Sequence, residues 1–327
     1  MMKVSVLMVT YNHEQFIAQA VESVLAQETS FDYELVIGED CSTDGTRAIL
    51  VGLQQQHPDK VRLLLNENNL GMHKNLAQTL LACRGEYVAM LDGDDYWTSP
   101  HKLQREVDFL DGHPECALCF HNVASVHDKG GDQELLVWRP PNQKEISTIE
   151  ELLLGDFMAA CSVMFRRQLI PEYPDWFYSL PIGDWPLWIL IAEHGKIGYL
   201  DETMAAYRIH QAGVWSSKSP VQRTEADAQV YECVNLHLGF RYNSIIRRRL
   251  FAKYYHLAAA YEERGDLTSA RRYARRCIRN YSFGHQSLKW LLFAALLIVP
   301  IPGLLGLARK LKDRGHSFRR RAKVAPG

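Results

Sequence analysis

Three carboxylates within four positions, Asp92, Asp94 and Asp95, follow the apolar run Tyr87 to Leu91 and are themselves followed by Tyr96 and Trp97. Carboxylates this close repel one another and raise each other's pKa unless a counter-charge lies between them, and hard oxygen ligands favour Mg²⁺ or Mn²⁺. A polar turn with an Asp cap for a helix starting near Pro100 would use the same residues, and acidic clusters are commonly solvated loops. The choice depends on what surrounds the cluster.

The elements before it share one arrangement. Lys3 to Thr10 has the composition of a buried strand, and Phe16, Ile17, Ala20, Val21, Val24 and Leu25 recur at helical spacing. Glu34 to Gly38 is a second apolar strand, and the polar loop from Glu39 to Thr46 leads into a helix through Gln56. Val61 to Leu65 predicts a third strand, Met72 to Ala82 a helix and Glu86 to Leu91 a fourth strand. Such alternation predicts an α/β fold with a mostly parallel, doubly wound sheet, whose ligands bind beyond the carboxyl ends of the strands. Those ends carry Thr10-Tyr11-Asn12, Glu39-Asp40, 66 to 71 and the aspartates, so polar groups collect where a nucleotide would sit.

Val-Thr-Tyr-Asn at 9 to 12, Glu-Asp-Cys-Ser-Thr-Asp-Gly-Thr at 39 to 46, Asn-Leu-Gly at 69 to 71 and Leu-Asp-Gly-Asp-Asp at 91 to 95 resemble the signatures of family 2 inverting glycosyltransferases. Four motifs in order over roughly a third of the chain are more specific than any one alone, and a fainter resemblance continues to about residue 215. It implies a GT-A fold and a nucleotide-sugar donor. Thr10, Tyr11, Asn12, Glu39, Asp40, Asn69, Gly71, Asn75 and Asp94 then correspond to donor-binding positions. Asp40 matches the acid that accepts from a base N–H, which favours uracil, while Glu39 stands where the family commonly has Asp. Asp95 matches the metal ligand, Mg²⁺ or Mn²⁺ bridging the diphosphate.

The resemblance also implies a general base at Asp184, in Ile-Gly-Asp-Trp-Pro-Leu-Trp at 182 to 188. Pro186 suits the first turn of a helix through Ala192, and a carboxylate at that terminus is favoured by the backbone N–H groups; a simple helix cap is the alternative. Tyr207-Arg208-Ile209-His210 resembles a Tyr-Arg-x-His element that closes the site in relatives. It implies His210 in the metal shell or at the diphosphate and Arg208 at a phosphate. The loop from Gln211 to Pro220 is a candidate lid.

His113, Cys116, Cys119 and His121 have some look of a zinc knuckle, but there is no second Cys-x-x-Cys, and a strand over Ala117 to Val123 would turn Cys116 and Cys119 to opposite faces. Seven cysteines without a disulfide-like spacing fit reduced thiols in a cytoplasmic enzyme. Val4 to Val9 is too short for a secretory signal and is already a strand.

The net charge of −1 conceals an asymmetry: 19 Lys/Arg against 4 Asp/Glu from Ser244 onward, and 18 against 34 before it. A catalytic domain over 1–243, a tetratricopeptide-like helical hairpin over 244–285 and an apolar and basic segment over 286–327 are the expected parts. Leu257, Tyr261, Gly265, Ala270, Tyr273 and Ala274 carry the hairpin pattern. Trp290 to Ala308 holds no charge over 19 positions, and Arg309 to Lys323 carries eight basic residues against Asp313. That length just spans a bilayer, but Pro300 and Pro302 favour a re-entrant or interfacial hairpin against anionic lipid; a buried core helix pair is the alternative. No aromatic interleaving supports a nucleic-acid partner.

The expected activity is transfer of one sugar from a nucleoside-diphosphate sugar to a saccharide or lipid-linked acceptor at the inner face of the cytoplasmic membrane. A processive synthase is disfavoured by the lack of a Gln-x-x-Arg-Trp element. A sugar-nucleotide nucleotidyltransferase would need a Gly-rich basic loop where Tyr11-Asn12-His13-Glu14 stands, and a non-catalytic scaffold would not need the acidic sites.

Overall fold

The structure, a computed structural model, describes residues 2–127, 136–138, 142–169, 173–281 and 288–298. It forms two compact units that divide after Ser217.

Among the described residues the first unit is built on one mixed sheet of ten strands. Strands β1 (Val4–Thr10), β2 (Tyr33–Glu39), β3 (Val61–Leu65) and β4 (Tyr87–Asp92) lie parallel in the order β3-β2-β1-β4. The sheet continues through β9 (Met164–Arg166) and β6 (Cys116–His127) to β10 (Lys196–Ile209) and β5 (Tyr96–Trp97). β7 (Leu136–Trp138) pairs with β6 and β8 (Ile146–Ser147) with β10. The α/β architecture expected from the alternating pattern is therefore present, and its four predicted parallel strands lie within one residue of their expected bounds.

Periodicity explains the layers. Every residue of β2 is buried, as expected for a strand covered on both faces. On one face Val4, Val6 and Met8 meet Ile17, Ala20, Val21 and Val24 of α1 (Ile17–Leu25), with Leu50 of α2 (Thr46–Gln56) in the same core. On the other, Gly38 lets α3 (Met72–Ala82) approach so closely that a Cβ there would lie 2.6 Å from the Asn75 side-chain oxygen. Helix α4 (Lys102–Gly112) and α6 (Asp184–Ala192) complete the cover, and α5 is a single turn (Ile149–Leu152).

Register sets where chemistry can occur. Thr10 pairs with Glu39 and Val9 with Asp92, so the motif-bearing ends of β1, β2 and β4 are level. After β1 the chain runs to β2 on one side, and β4 lies on the other. This reversal is the switch point at which open α/β sheets leave a crevice.

The second unit contains α7 (Pro220–His237), α8 (Asn243–Glu263), α9 (Leu267–Arg279) and α10 (Leu288–Ile298). The division falls earlier than the expected 243 because α7 packs on α8. Glu225 and Glu232 of α7 accept hydrogen bonds from Tyr261, Tyr273 and Tyr254 of the hairpin. Gly265, at φ +78°, turns the chain between α8 and α9. The uncharged segment also divides. In α10, Phe293, Ala294 and Leu297 are buried, and Trp290 stacks on Tyr255 at 4.4 Å. That part is a core element, while residues 299–327, with both prolines and the basic run, lie outside the described residues. No described helix is long and apolar enough to cross a membrane.

One buried charge at the far end of the sheet makes stability depend on acid. Glu34 accepts from Ser5, Arg62 and both the backbone and side chain of Arg84. Burial opposes ionisation, but these donors win and hold its pKa at about 2, below the usual 4.5. Its stabilisation is complete above pH 4.5 and lost as pH falls toward 2. Glu34→Gln should cost about 2 kcal/mol near pH 7, the scale of hydrogen bonds to a charged group. Chemical denaturation from pH 6 to 2 should show the variant losing less stability across that window than the parent.

Candidate active site

Asp92 ends β4, and the turn into β5 carries Asp94 and Asp95. One oxygen from each lies within 4.8 Å of the others, the only such metal-competent group among the described residues. Gly93 permits the tight turn: a Cβ there would stand 2.6 Å from Thr10 Oγ1 and 2.9 Å from His13 Nδ1.

β10 holds the aspartates in place. Ala205 and Ala206 pair with Trp97 and Tyr96, so the Arg208 backbone N–H donates to Asp95 Oδ1 at 2.9 Å. The Cys161 thiol also hydrogen-bonds the Asp95 carboxylate. The Arg208 guanidinium lies between Phe16 and Tyr96, 5.0 and 4.5 Å from their ring centres, and donates to the Asp94 carbonyl at 2.5 Å and to Gln19. Arg208 is thus committed to bracing the turn. His210 Nε2 donates to Asp94 Oδ2 at 3.0 Å, with His13 Nε2 3.8 Å from the same oxygen. His210 stands behind Asp94 rather than among the three converging carboxylates.

The electrostatics are those of a cation site. Burial, then the charges of Asp94 and Asp184, push Asp92 up to about 8. Burial and the charges of Asp94 and Asp92 push Asp95 well above the ordinary range. For Asp94 burial works in the same direction, but the His210 hydrogen bond and the nearby histidines outweigh it and lower its pKa. Three hard oxygens converge with one carboxylate kept ionised and two resisting ionisation, which a divalent cation between them would relieve. The residues therefore fit Mg²⁺ or Mn²⁺, held by Asp95 and Asp94 with Asp92 alongside.

The loops beyond β2 and β3 form a second polar unit. Asp40 Oδ1 accepts from the Leu70 backbone at 2.8 Å and from Asn66 Nδ2 at 3.1 Å, and Oδ2 accepts from the Gly71 backbone at 2.9 Å. A carboxylate offers about four acceptor positions, so one remains on Oδ2 for a ligand N–H. Asn69 Nδ2 donates to the Asp40 carbonyl at 3.0 Å. Asn75 is buried beneath, bonded to Gly38 and Asn66. Glu39 is fully buried, paired with Arg47 and accepting from the Ser42 backbone at 2.6 Å. Asn75 and Glu39 brace the loops. Tyr11 is 42% exposed at the end of β1, and Asn12, at φ +57°, accepts from the Thr43 backbone. Thr10 Oγ1 lies 3.2 Å from His13 Nδ1, and its carbonyl accepts from the Asp40 backbone at 3.0 Å.

Asp184 opens α6, with Oδ1 accepting from the Trp185 backbone at 2.8 Å. Its charge raises the pKa of Asp92 and Tyr207, which places it electrostatically against the acidic cluster. His73, on the first turn of α3, donates from Nε2 to the Leu180 carbonyl at 2.7 Å and packs edge-on against Phe177. A Cβ on Gly183 would lie 3.2 Å from the His73 ring. His73 thereby ties the chain before Asp184 to the helix that follows the Asn69–Gly71 loop.

Sequence reasoning gave no site role to His13, Phe16, Gln19, His73 or Cys161. His13 adjoins the first motif and was open to notice there. Gln19 and Cys161 reach the cluster only through tertiary packing and give no local signal.

Residues 5–173 match the model described as Glycosyl transferase family 2, and the chain belongs to that family. An uncharacterized protein of Mycobacterium tuberculosis is 40% identical over 216 residues, 65% of this chain and 60% of that protein. This chain therefore matches less than two thirds of that relative's length. The poly(ribitol-phosphate) beta-N-acetylglucosaminyltransferase TarS of Staphylococcus aureus is 32% identical over 179 residues, 54% of this chain and 30% of TarS. The crystal structure of TarS 1-349 with UDP-GlcNAc superposes with a TM-score of 0.64 at 18% identity, covering 98% of this chain and 92% of that one. The mannosyltransferase PcManGT of Pyrobaculum calidifontis, in complex with GDP-Man and Mn²⁺, gives 0.54 at 17% identity, covering 95% and 84%. The fold is GT-A.

Carboxylate repulsion makes a prediction that needs no substrate. Without divalent cation, Asp95→Asn should melt above the parent, since one repelling carboxylate is gone while the acceptor for the Arg208 N–H remains. Saturating Mn²⁺ should raise the parent's midpoint by about 5 °C and leave the variant's unchanged, as measured by calorimetry.

Proposed function

We propose that the protein transfers a single sugar, with inversion, from a nucleoside-diphosphate sugar to a hydroxyl of a saccharide or lipid-linked acceptor in cell-surface polysaccharide assembly. The observation that carries this reading is the gathering of the acidic cluster and Asp40 at the carboxyl ends of β4 and β2, the two strands that flank β1, with Asp184 within electrostatic reach. The TarS complex with UDP-GlcNAc and the acceptor in the TarS name support a UDP-linked donor and a cell-surface polymer.

In this mechanism the remaining acceptor position on Asp40 receives the base N–H, and Tyr11 offers its exposed ring to the base and ribose. Asp94, kept ionised by His210, orients the ribose or sugar. Asp95 and Asp94, with Asp92 alongside, would hold Mg²⁺ or Mn²⁺, which when bound neutralises the diphosphate so that it departs without being protonated; the Mn²⁺ in the PcManGT complex is consistent with that choice. Asp184 takes the proton from the acceptor hydroxyl as the oxygen's electron pair bonds to the anomeric carbon and the bond to the diphosphate oxygen breaks. Displacement in line inverts the centre. The His73 tether to Leu180 fixes the segment that carries Asp184.

A panel of UDP- and GDP-sugars, scored by nucleoside diphosphate release, identifies the donor. With that donor, Asp184→Asn should lower turnover about 10²-fold or more while leaving donor affinity within a few fold. EDTA should silence the parent. Normal turnover by the variant removes Asp184 from the mechanism, and retained anomeric configuration in the first product, read by NMR, contradicts inversion.

The reading extends to location: we place the enzyme at the inner face of the cytoplasmic membrane, anchored through the segment after α10. The apolar stretch and basic run of 299–327 supply the two signals that stable peripheral binding requires. Because α10 is a packed element, the informative truncation keeps it. Deleting 299–327 should move much of the protein from the membrane pellet to the supernatant, with donor hydrolysis retained.

A further inference from the structure

Helix α9 carries five arginines, Arg271, Arg272, Arg275, Arg276 and Arg279, and no carboxylate over its 13 residues. Arg271 with Arg275, Arg272 with Arg276 and Arg275 with Arg279 are like-charged pairs four residues apart, each of which destabilises an isolated helix. A solvated helix face ordinarily interleaves both signs. The helix dipole compensates Arg276 and Arg279 in the last turn, but not the three arginines before them.

Two of the five have roles within the unit. Arg271 donates to the Leu297 carbonyl of α10 at 3.3 Å, and Arg276 pairs with Glu232 of α7 at 3.3 Å. Between these bordering contacts, at positions i, i+3 and i+7, lie Arg272, Arg275 and Arg279. All three are exposed and lie opposite the buried Ala270, Tyr273, Ala274 and Cys277. None makes an ion pair among the described residues. Arg272 rests on the Tyr273 ring at 4.8 Å and senses Asp266 at the start of the helix.

Helix α10 packs against α9 and carries exposed apolar residues of its own. Leu288 and Leu292, one turn apart, are 60% and 46% exposed, although Phe293, Ala294 and Leu297 of the same helix are buried. Lys289 is exposed between them. A soluble polyanion would explain the arginines but not the leucines. An anionic bilayer explains both, phosphates meeting the guanidinium groups and the leucines entering the headgroup boundary.

We infer that the arginine stripe of α9 and the exposed leucines of α10 are a membrane-docking surface selective for anionic lipid. This rests on the membrane placement proposed above but not on the catalytic assignment, because it is a property of the helical unit. It adds contacts distinct from the 299–327 tail, and it fixes which side of that unit meets the lipid.

The test is co-sedimentation of the full chain, without donor or acceptor, with vesicles of phosphatidylglycerol and phosphatidylcholine, or of phosphatidylcholine alone. The parent should prefer the anionic vesicles. Replacing Arg272, Arg275 and Arg279 together by Gln should weaken anionic binding at least tenfold, and replacing all three by Lys should retain it within a few fold. Leu288→Ser with Leu292→Ser should weaken binding while leaving its salt dependence unchanged. Unchanged binding by the Gln variant overturns the proposal, as does equal loss by the Lys and Gln variants. If the parent prefers soluble long-chain polyphosphate to anionic vesicles and the Ser variant binds vesicles as the parent does, the leucines take no part, the stripe serves a soluble polyanion and the docking surface is overturned. A catalytically silent protein gives the same binding readout, so failure here and failure of the transferase reading are distinguishable.

Discussion

Repulsion among Asp92, Asp94 and Asp95 is the constraint on which the rest of the site depends. Their oxygens converge within 4.8 Å in a largely buried position, and burial together with mutual charge resists ionisation at two of them. Left alone, such side chains would turn toward solvent. They stay because other elements hold them: the Arg208 backbone and the Cys161 thiol on Asp95, and His210 on Asp94. The pairing of β10 with β5 brings Arg208 and the adjoining His210 to the turn, so an edge contact of only two residue pairs positions two of the three groups that hold the cluster. Arg208 serves the same end through its side chain, bracing the turn between two aromatic rings.

The side of the crevice proposed for the nucleotide rests on a different device. Asp40 uses both oxygens to collect the 66–71 loop, and the Thr10 carbonyl collects the Asp40 backbone. The ends of three strands are thereby locked by hydrogen bonds that need no ligand. Helix α3 begins where this loop ends and carries His73, whose bond to Leu180 reaches the segment leading to Asp184. The groups assigned to donor recognition and to proton transfer are therefore connected through one helical turn. Gly183 is small because the His73 ring occupies the space a side chain would need.

The sheet was legible because its signal is local. Apolar runs such as Lys3 to Thr10 and Glu34 to Gly38, separated by helical periodicity and followed by polar motifs, mark the strands closely enough to say where polar groups collect. The acidic cluster was legible for the same reason. What the sequence could not separate were residues facing a ligand from residues facing the protein. Glu39 and Asp40 are neighbours, yet strand alternation sends Glu39 to Arg47 and Asp40 to the 66–71 loop. Asn75 reads like a donor ligand and is buried against Gly38. That α7 joins the helical unit was not legible, because what ties it there is a set of glutamates whose partners, tyrosines of the hairpin, only the fold brings together. Likewise the uncharged run from Trp290 gives no hint that its first turns are core; that follows from Tyr255 supplying a face for Trp290 to stack on.

Charge is segregated along the chain in a way these details explain. Residues up to Ser217 carry 15 basic against 31 acidic side chains, and those from Lys218 onward 22 against 7. An acidic sheet unit is poorly suited to attract a diphosphate by its overall field, which leaves recognition to short-range contacts and to a cation concentrated at the aspartates. The helical unit faces the opposite problem. Its arginines outnumber the carboxylates of the unit, as α9 illustrates. A balance near zero for the whole molecule therefore does not neutralise either part. Each keeps a local excess that calls for a counter-charge from outside the chain, a divalent cation in one case and an anionic surface in the other.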